Sequence, residues 1–345
     1  MRFAPRRQAV IACLGALLLA ACGSSGSQSP ASSGATSGSA SPTASDLTIG
    51  YIQTGPFDYY LRGVDGAQSA ADVLGVELEV FNSDNKPEKE LANVEDAIAR
   101  GVDGLVIFSV GKSSLAADLA KAKAANIPAV VLYGYDPTIE GEALAFIQAP
   151  ADVTGDQAGQ WTAENVPSGE VAIIQGLLGR GDAEAYTEGF KKGLQQNASL
   201  QVVATVAADW DRGKAQAAMA DILTAHPDLK AVFVMNEDMA LGAIAAIKAA
   251  GKSGQVVVVS QNGSPAGIEA IESGELSATV AWSPAEEAQM AMARLVGFLK
   301  DGQKPEPVLC NTPTVVVTKS NVADSPPWIP TAASTQSGLN AACAN

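Results

Sequence analysis

The sequence predicts an α/β fold of two doubly wound parallel-sheet lobes joined by a multi-strand hinge. Three observations carry this prediction. From residue 47 onward, short β-branched runs alternate with stretches of helical period, the mark of βαβ units feeding a parallel sheet. The rhythm pauses at a connecting strand and then starts again. A late strand, helix and strand follow the second unit, which gives the chain material to cross between the units more than once.

In the first unit, strands are expected at 47–52, 77–81, 104–108 and 129–132, with helices near 61–74, 87–100 and 112–125. A connecting strand at 144–147 leads to a second unit with strands at 170–174, 201–206, 231–235 and 255–260. The strand 276–282, a helix near 285–300 and a strand at 314–318 complete the pattern. The organisation this implies is a first lobe from 46–148 plus 283–308, a second from 149–282 plus 309–325, and a tail at 326–345.

The first residues carry Arg2, Arg6 and Arg7 with no acidic residue, followed by an apolar run from Ala9 to Ala21. That order of charge and then apolar residues is a secretory signal, and the run is short for a bilayer span. It ends in Leu19-Ala20-Ala21-Cys22-Gly23, which resembles the bacterial lipobox. The resemblance implies that residues 1–21 are removed and that Cys22 receives a lipid. Residues 22–45 are rich in Gly, Ser, Ala and Thr, too polar and simple to bury a core, and read as a flexible tether. The chain is then expected on the outer face of the cell membrane, held by its lipid.

The formal charge is −15, and removing the three arginines of residues 1–21 leaves −18. Phosphate backbones would be repelled, so nucleic-acid binding is excluded. Of four cysteines, Cys13 lies in the signal and Cys22 is the lipid site. The remaining Cys310 and Cys343 are expected as a disulfide in an oxidising exported compartment, stapling the Pro-rich tail to the body; two buried thiols are the alternative.

In open α/β sheets ligands sit beyond the carboxyl ends of the strands, so the residues just after each strand are the candidates. They include Phe57, Asp58, Tyr59 and Tyr60; Tyr133 and Tyr135; Arg180 and Asp182; Asp209, Trp210 and Asp211; Asn236, Glu237 and Asp238; Gln261 and Asn262; and Trp282. Aromatic residues are only 5% of the chain, which makes their concentration at strand ends informative. Sugars and polyols present apolar C–H faces and a belt of hydroxyls. Aromatic faces with planar polar groups at the edge match them.

Several ordered stretches carry a family resemblance across 47–320. Among them are Asp65-Gly66-Ala67-Gln68, Ala125-Asn126-Ile127-Pro128, Ala208-Asp209-Trp210-Asp211-Arg212, Asn236-Glu237-Asp238-Met239-Ala240-Leu241-Gly242-Ala243 and Ser277-Ala278-Thr279-Val280-Ala281. In these the chain resembles the periplasmic ribose-type sugar-binding proteins of the type I solute-binding fold. The resemblance implies two aromatics of the first lobe at Tyr59 and Tyr60 and a third opposite at Trp210. It also implies that Asn236 hydrogen-bonds ligand hydroxyls, so that a ring lies between Tyr60 and Trp210 with Asn236 at its edge.

The departures bear on the ligand. Where ribose-type members have an Asp-Arg pair after the fourth strand, this chain has Tyr133-Gly134. The family's Asp after the 255–260 strand is Asn262, and its Gln at the second crossover is Trp282. A family arginine near the start of the 182–196 helix is missing, with Arg180 as the candidate substitute. Buried polar groups built for particular hydroxyls discriminate strongly, so these replacements imply a different sugar, polyol or sugar-like ligand. The resemblance also implies an ABC permease with a cytoplasmic ATPase as partners, and the chain is expected to be a monomer. A receptor presenting its closed form to a membrane sensor is the alternative.

Other signals carry less. Gly111-Lys112-Ser113 and Gly251-Lys252-Ser253 lack the earlier glycine of a phosphate loop, and Gly176, Gly179 and Gly181 miss dinucleotide spacing. They read instead as turns and as a cleft loop. With the single histidine His226 beside Pro227, neither a catalytic triad nor a multi-His metal site is supported. Adjacent Glu237 and Asp238 are expected to serve a helix dipole rather than glycoside hydrolysis. No enzyme, cofactor or metal is expected.

Overall fold

The computed structural model describes residues 47–179 and 181–344. The first sheet begins with β1 (Thr48–Gln53), α1 (Asp58–Leu74), β2 (Glu77–Asn82), α2 (Pro87–Arg100) and β3 (Gly104–Phe108). It continues through α3 (Lys112–Ala124), β4 (Ala129–Leu132) and β5 (Ala145–Gln148). The chain then crosses at Ala149–Pro150 into α4 (Ala151–Asn165), β6 (Gly169–Gln175), α5 (Asp182–Leu194), β7 (Leu200–Ala207) and α6 (Arg212–Ala225). The second sheet is completed through β8 (Ala231–Val234), α7 (Glu237–Ala249), β9 (Val257–Asn262), α8 (Pro265–Ser273) and β10 (Ala278–Ala281). After α9 (Pro284–Asp301) come β11 (Leu309–Asn311), β12 (Val315–Val317) and α10 (Ala332–Leu339).

The strand orders are β2-β1-β3-β4-β5-β11 and β7-β6-β8-β9-β10-β12. Both are doubly wound: each order reverses beside its first strand, and helices cover both faces. β3, β4 and β8 are buried along their whole length. That is why they read in the sequence as unbroken apolar runs rather than alternations. Only β12 runs against its neighbour β10. Both sheets belong to one compact unit.

One boundary differs from the sequence reading. Residues 309–325 were expected in the second lobe, but Leu309–Asn311 pairs in parallel with Phe146–Gln148 in the first sheet. The pairing covers an otherwise bare edge, since Phe146 N donates to Val308 O at 2.7 Å and Thr312 N to Gln148 O at 2.9 Å. A strand of three residues is too short to show a period in sequence. The chain crosses to the second sheet only after Asn311.

Two packing features set the geometry of the cleft. α9 lies against α1, where an added Cβ on Gly66 would stand 2.3 Å from Ala285 O. α4 and α5 approach equally closely: a Cβ on Gly155 would meet Tyr186 O at 2.3 Å, and one on Gly189 would meet Asp152 O at 2.2 Å. Only glycine permits that approach, and it brings the N-terminus of α5, with Asp182, to the cleft.

Candidate ligand site

The carboxyl ends of the two sheets enclose a cavity of about 620 Å³. Of the residues expected from sequence, Tyr59, Tyr60, Tyr133, Trp210, Asn236, Asn262 and Trp282 all line it. Arg180 and Cys22 lie outside the described residues. Both lobes contribute, so the site exists only where the two sheets face each other.

Five of the non-glycine residues with left-handed backbone gather here: Asn85 (φ 57), Tyr133 (φ 64), Asp209 (φ 53), Trp210 (φ 62) and Asn262 (φ 115). For a bulky side chain this conformation costs about 1–2 kcal/mol, and such strain collects at binding sites when the surroundings over-determine it. At Trp210 the determinant is Gly176, just after β6. A Cβ there would stand 2.1 Å from the indole, so the ring lies directly on the glycine backbone. The glycine that the sequence reading placed in a cleft loop is the seat of the tryptophan.

Asn236 caps α7, its Oδ1 accepting from Met239 N at 2.7 Å. Its carboxamide oxygen is thereby committed, which leaves the amide N–H groups as the end that can donate to a ligand hydroxyl. Beside it, Arg212 at the start of α6 donates from Nη2 to Asp238 Oδ1 at 2.6 Å. Asp58, Asp182, Asp209 and Asp238 also line the cavity, and this acidic rim disfavours an anionic ligand.

The structure turns the polar tips of Tyr59, Tyr133 and Trp282 on one another rather than on the cavity. Trp282 Nε1–H donates to Tyr59 Oη at 2.8 Å, and the Tyr59 and Tyr133 hydroxyls are 2.8 Å apart. Each phenol also reaches the buried carboxyl of Glu287, Tyr59 at 2.7 Å and Tyr133 at 2.9 Å. Ala149 N donates to the same carboxyl at 2.9 Å and Thr312 Oγ1 at 3.3 Å. Glu287 thus ties together the crossings at 149, 282–287 and 312, and the three aromatics present ring surface to the cavity. Trp282 is only 2% exposed and Tyr133 8%.

The proton count of this cluster is informative. Three O···O contacts join the two phenols and the carboxyl, yet the phenols bring only two protons. A third proton, on Glu287, satisfies all three contacts. In accord, burial pushes the Glu287 carboxyl up to about 7, against the lowering effect of its four donors. Sequence reading missed Glu287 because it lies within a helix, away from any strand end.

Glu237 and Asp238 both stand in the first turn of α7, as expected of groups that serve a helix dipole. Asp238 stays at the rim, but Glu237 turns inward and is buried, accepting from Gly263 N (2.6 Å), Ser264 N (3.0 Å) and Thr279 Oγ1 (2.5 Å). Desolvation raises its carboxyl to about 7. Beyond its place at the start of α7, it holds the loop after Asn262. Also missed were Asn85, Phe108 and Tyr186, which line the cavity without directly following a strand or at a strand's last residue, and Trp328 from the tail. Cys310 and Cys343 form a disulfide. His226 caps α6 and contacts Glu170 at 3.1 Å, and no cluster of metal-ligating side chains occurs among the described residues.

The periplasmic binding protein domain family is matched over residues 52–304. The ribose import binding protein of Escherichia coli (strain K12) is 39% identical over 230 residues, covering 66% of this chain and 76% of its own. The ribose import binding protein of Haemophilus influenzae is 33% identical over 252 residues, 73% of this chain and 84% of its own. Among solved structures, a galactofuranose binding protein superposes with a TM-score of 0.75 at 25% identity, covering 85% of this chain and 99% of its own.

Proposed function

The chain belongs to the periplasmic binding protein domain family, and from that premise we propose that it captures a small neutral sugar, polyol or sugar-like molecule and delivers it to an ABC import permease with a cytoplasmic ATPase. By its family it is a binding protein and not an enzyme. The observation that carries the reading is the convergence of Tyr60 and Trp210, from opposite lobes, with Asn236 on one cavity. Stacked rings hold the C–H faces of a sugar, while the carboxamide and the acidic rim bond its hydroxyls. Ligand touching both lobes binds the closed form more strongly than the open one. Binding therefore shifts the population toward a closed shape that a permease can recognise.

The names of the ribose and galactofuranose proteins support a carbohydrate ligand. The wall built by Tyr133 and Trp282, whose polar tips are committed to each other and to Glu287, supports one different from ribose. The proposal includes export and attachment to the outer face of the membrane through lipid on Cys22, and action as a monomer. No helix among the described residues is long and apolar enough to cross a membrane. Thermal-shift measurements of the purified protein against pentoses, hexoses, polyols and nucleosides test the reading. A ligand that binds only the folded state raises Tm with concentration, and Trp210→Ala and Asn236→Ala should each abolish the shift. No shift with any sugar or polyol overturns the carbohydrate assignment.

A further inference from the structure

The tail beyond β12 supplies a wall of the cavity that neither lobe provides. From β12 the chain turns through the 3₁₀ segment Val322–Asp324, passes the hinge at 325–331 and continues as α10, which packs on α9 and α1. It is a fourth crossing between the lobes, after those at 149–150, 282–283 and 312–314. The family match ends at residue 304, so this crossing lies outside the part of the chain that the family covers.

Trp328 stands in the middle of it. The side chain is 5% exposed, lines the cavity and meets Tyr59 edge-on at 5.7 Å between centroids and 80° between planes. Its Nε1–H is shared between the carbonyls of Asn262 and Trp282, each at 3.1 Å. These carbonyls belong to the end of β9 and to the β10–α9 crossing, so the indole bridges a binding loop and the hinge. An indole whose one N–H is held by backbone carbonyls has nothing polar left and can offer a ligand only its ring.

The tail is fastened on both sides of this residue. Ser283 Oγ donates to Pro327 O at 2.6 Å. Further on, Gln289 Nε2 donates to Thr335 Oγ1 at 3.3 Å, Ala344 N donates to Asn311 O at 2.7 Å, and Cys343 is bonded to Cys310 of β11. The disulfide and the strand-edge contact can dock the tail without Trp328. The indole's place in the cavity wall is therefore additional to docking.

We propose that Trp328 is a specificity-determining residue of the sugar site: its ring closes the hinge end of the cavity, limits the size of ligand admitted, and is kept there by the Cys310–Cys343 disulfide. The inference rests on the carbohydrate-binding reading above. Ring surface at a site's floor discriminates by volume, since a wall that fits one ligand clashes with its homologue one carbon larger.

Isothermal titration of the purified protein with D-ribose, L-arabinose, D-glucose, D-galactose and D-allose, the methyl glycosides of these five sugars, and myo-inositol decides it. The quantity read is the affinity ratio between the best ligand and a homologue larger by one hydroxymethyl or glycosidic methyl group. Trp328→Ala should weaken the best ligand about tenfold or more and lower that ratio by at least about tenfold. Trp328→Phe, which keeps a ring without the N–H, should fall between. Cys343→Ser should shift the ratio in the same direction without altering any cavity-lining residue. If Trp328→Ala does not fold, the other two variants carry the comparison. A ratio unchanged within about twofold in the folded variants, with the wild type binding sugar, overturns the assignment of Trp328 alone. A wild type that binds none of these compounds overturns the carbohydrate reading and this assignment together.

Discussion

Replacing Glu287 by glutamine should stabilise the protein above neutral pH and leave it nearly unchanged in acid. The buried carboxyl titrates at about 7 instead of the ordinary 4.5. Between those values the folded state keeps a proton that the unfolded chain releases. The stability this group contributes is therefore complete below pH 4.5 and is lost as pH rises through 7. A displacement of this size corresponds to about 3 kcal/mol. In Glu287→Gln the amide N–H takes the place of the carboxylic proton toward Tyr59, and its carbonyl can still accept from Tyr133, Ala149 and Thr312. Urea unfolding at steps from pH 4.5 to 8.5 should show the variant gaining about 3 kcal/mol on the wild type across that interval. Taking the difference removes the parallel loss from Glu237, which rises for the same reason. A difference that stays flat within about 0.5 kcal/mol would refute the three-proton account of the cluster. Glu287→Ala, by contrast, strips Tyr133, Ala149 and Thr312 of their acceptor and Tyr59 of its partner, and should destabilise at every pH.

Two other perturbations separate stability from binding. Tyr51 is fully buried and its hydroxyl has no partner among the described residues, so Tyr51→Phe should stabilise by about 1 kcal/mol; equal or lower stability in chemical denaturation would contradict the burial argument. Gly176→Ala places a methyl 2.1 Å from the Trp210 indole and must displace the ring. Sugar affinity should fall by about tenfold or more while the far-ultraviolet circular dichroism is retained, and affinity within about threefold of wild type would show that the ring's seat is dispensable.

Much of the fold was legible because it rests on local periodicity. Parallel strands buried on both faces, such as Gly104–Phe108 and Ala129–Leu132, must be continuously apolar, and amphipathic helices between them must carry a helical period. Strand ends then pointed to Tyr59, Tyr60, Trp210 and Asn236, since topology obliges a doubly wound sheet to bind at that edge. What the side chains do there was not legible. Whether Tyr59, Tyr133 and Trp282 face a ligand or one another depends on Glu287, which lies 154 residues beyond Tyr133 and shows no signal inside its helix. The inward turn of Glu237 depends likewise on Thr279, 42 residues away. β11 was too short to have a period, and Trp328 follows no strand, so no local rule could bring it to the cavity. By itself the sequence determined the elements, their alternation and the edge at which a ligand binds, because these follow from nearest-neighbour sterics and one-sided burial. Only the tertiary structure decided which polar atoms remain available to the ligand, because hydrogen-bond partners are chosen by proximity across chain crossings and not along the chain.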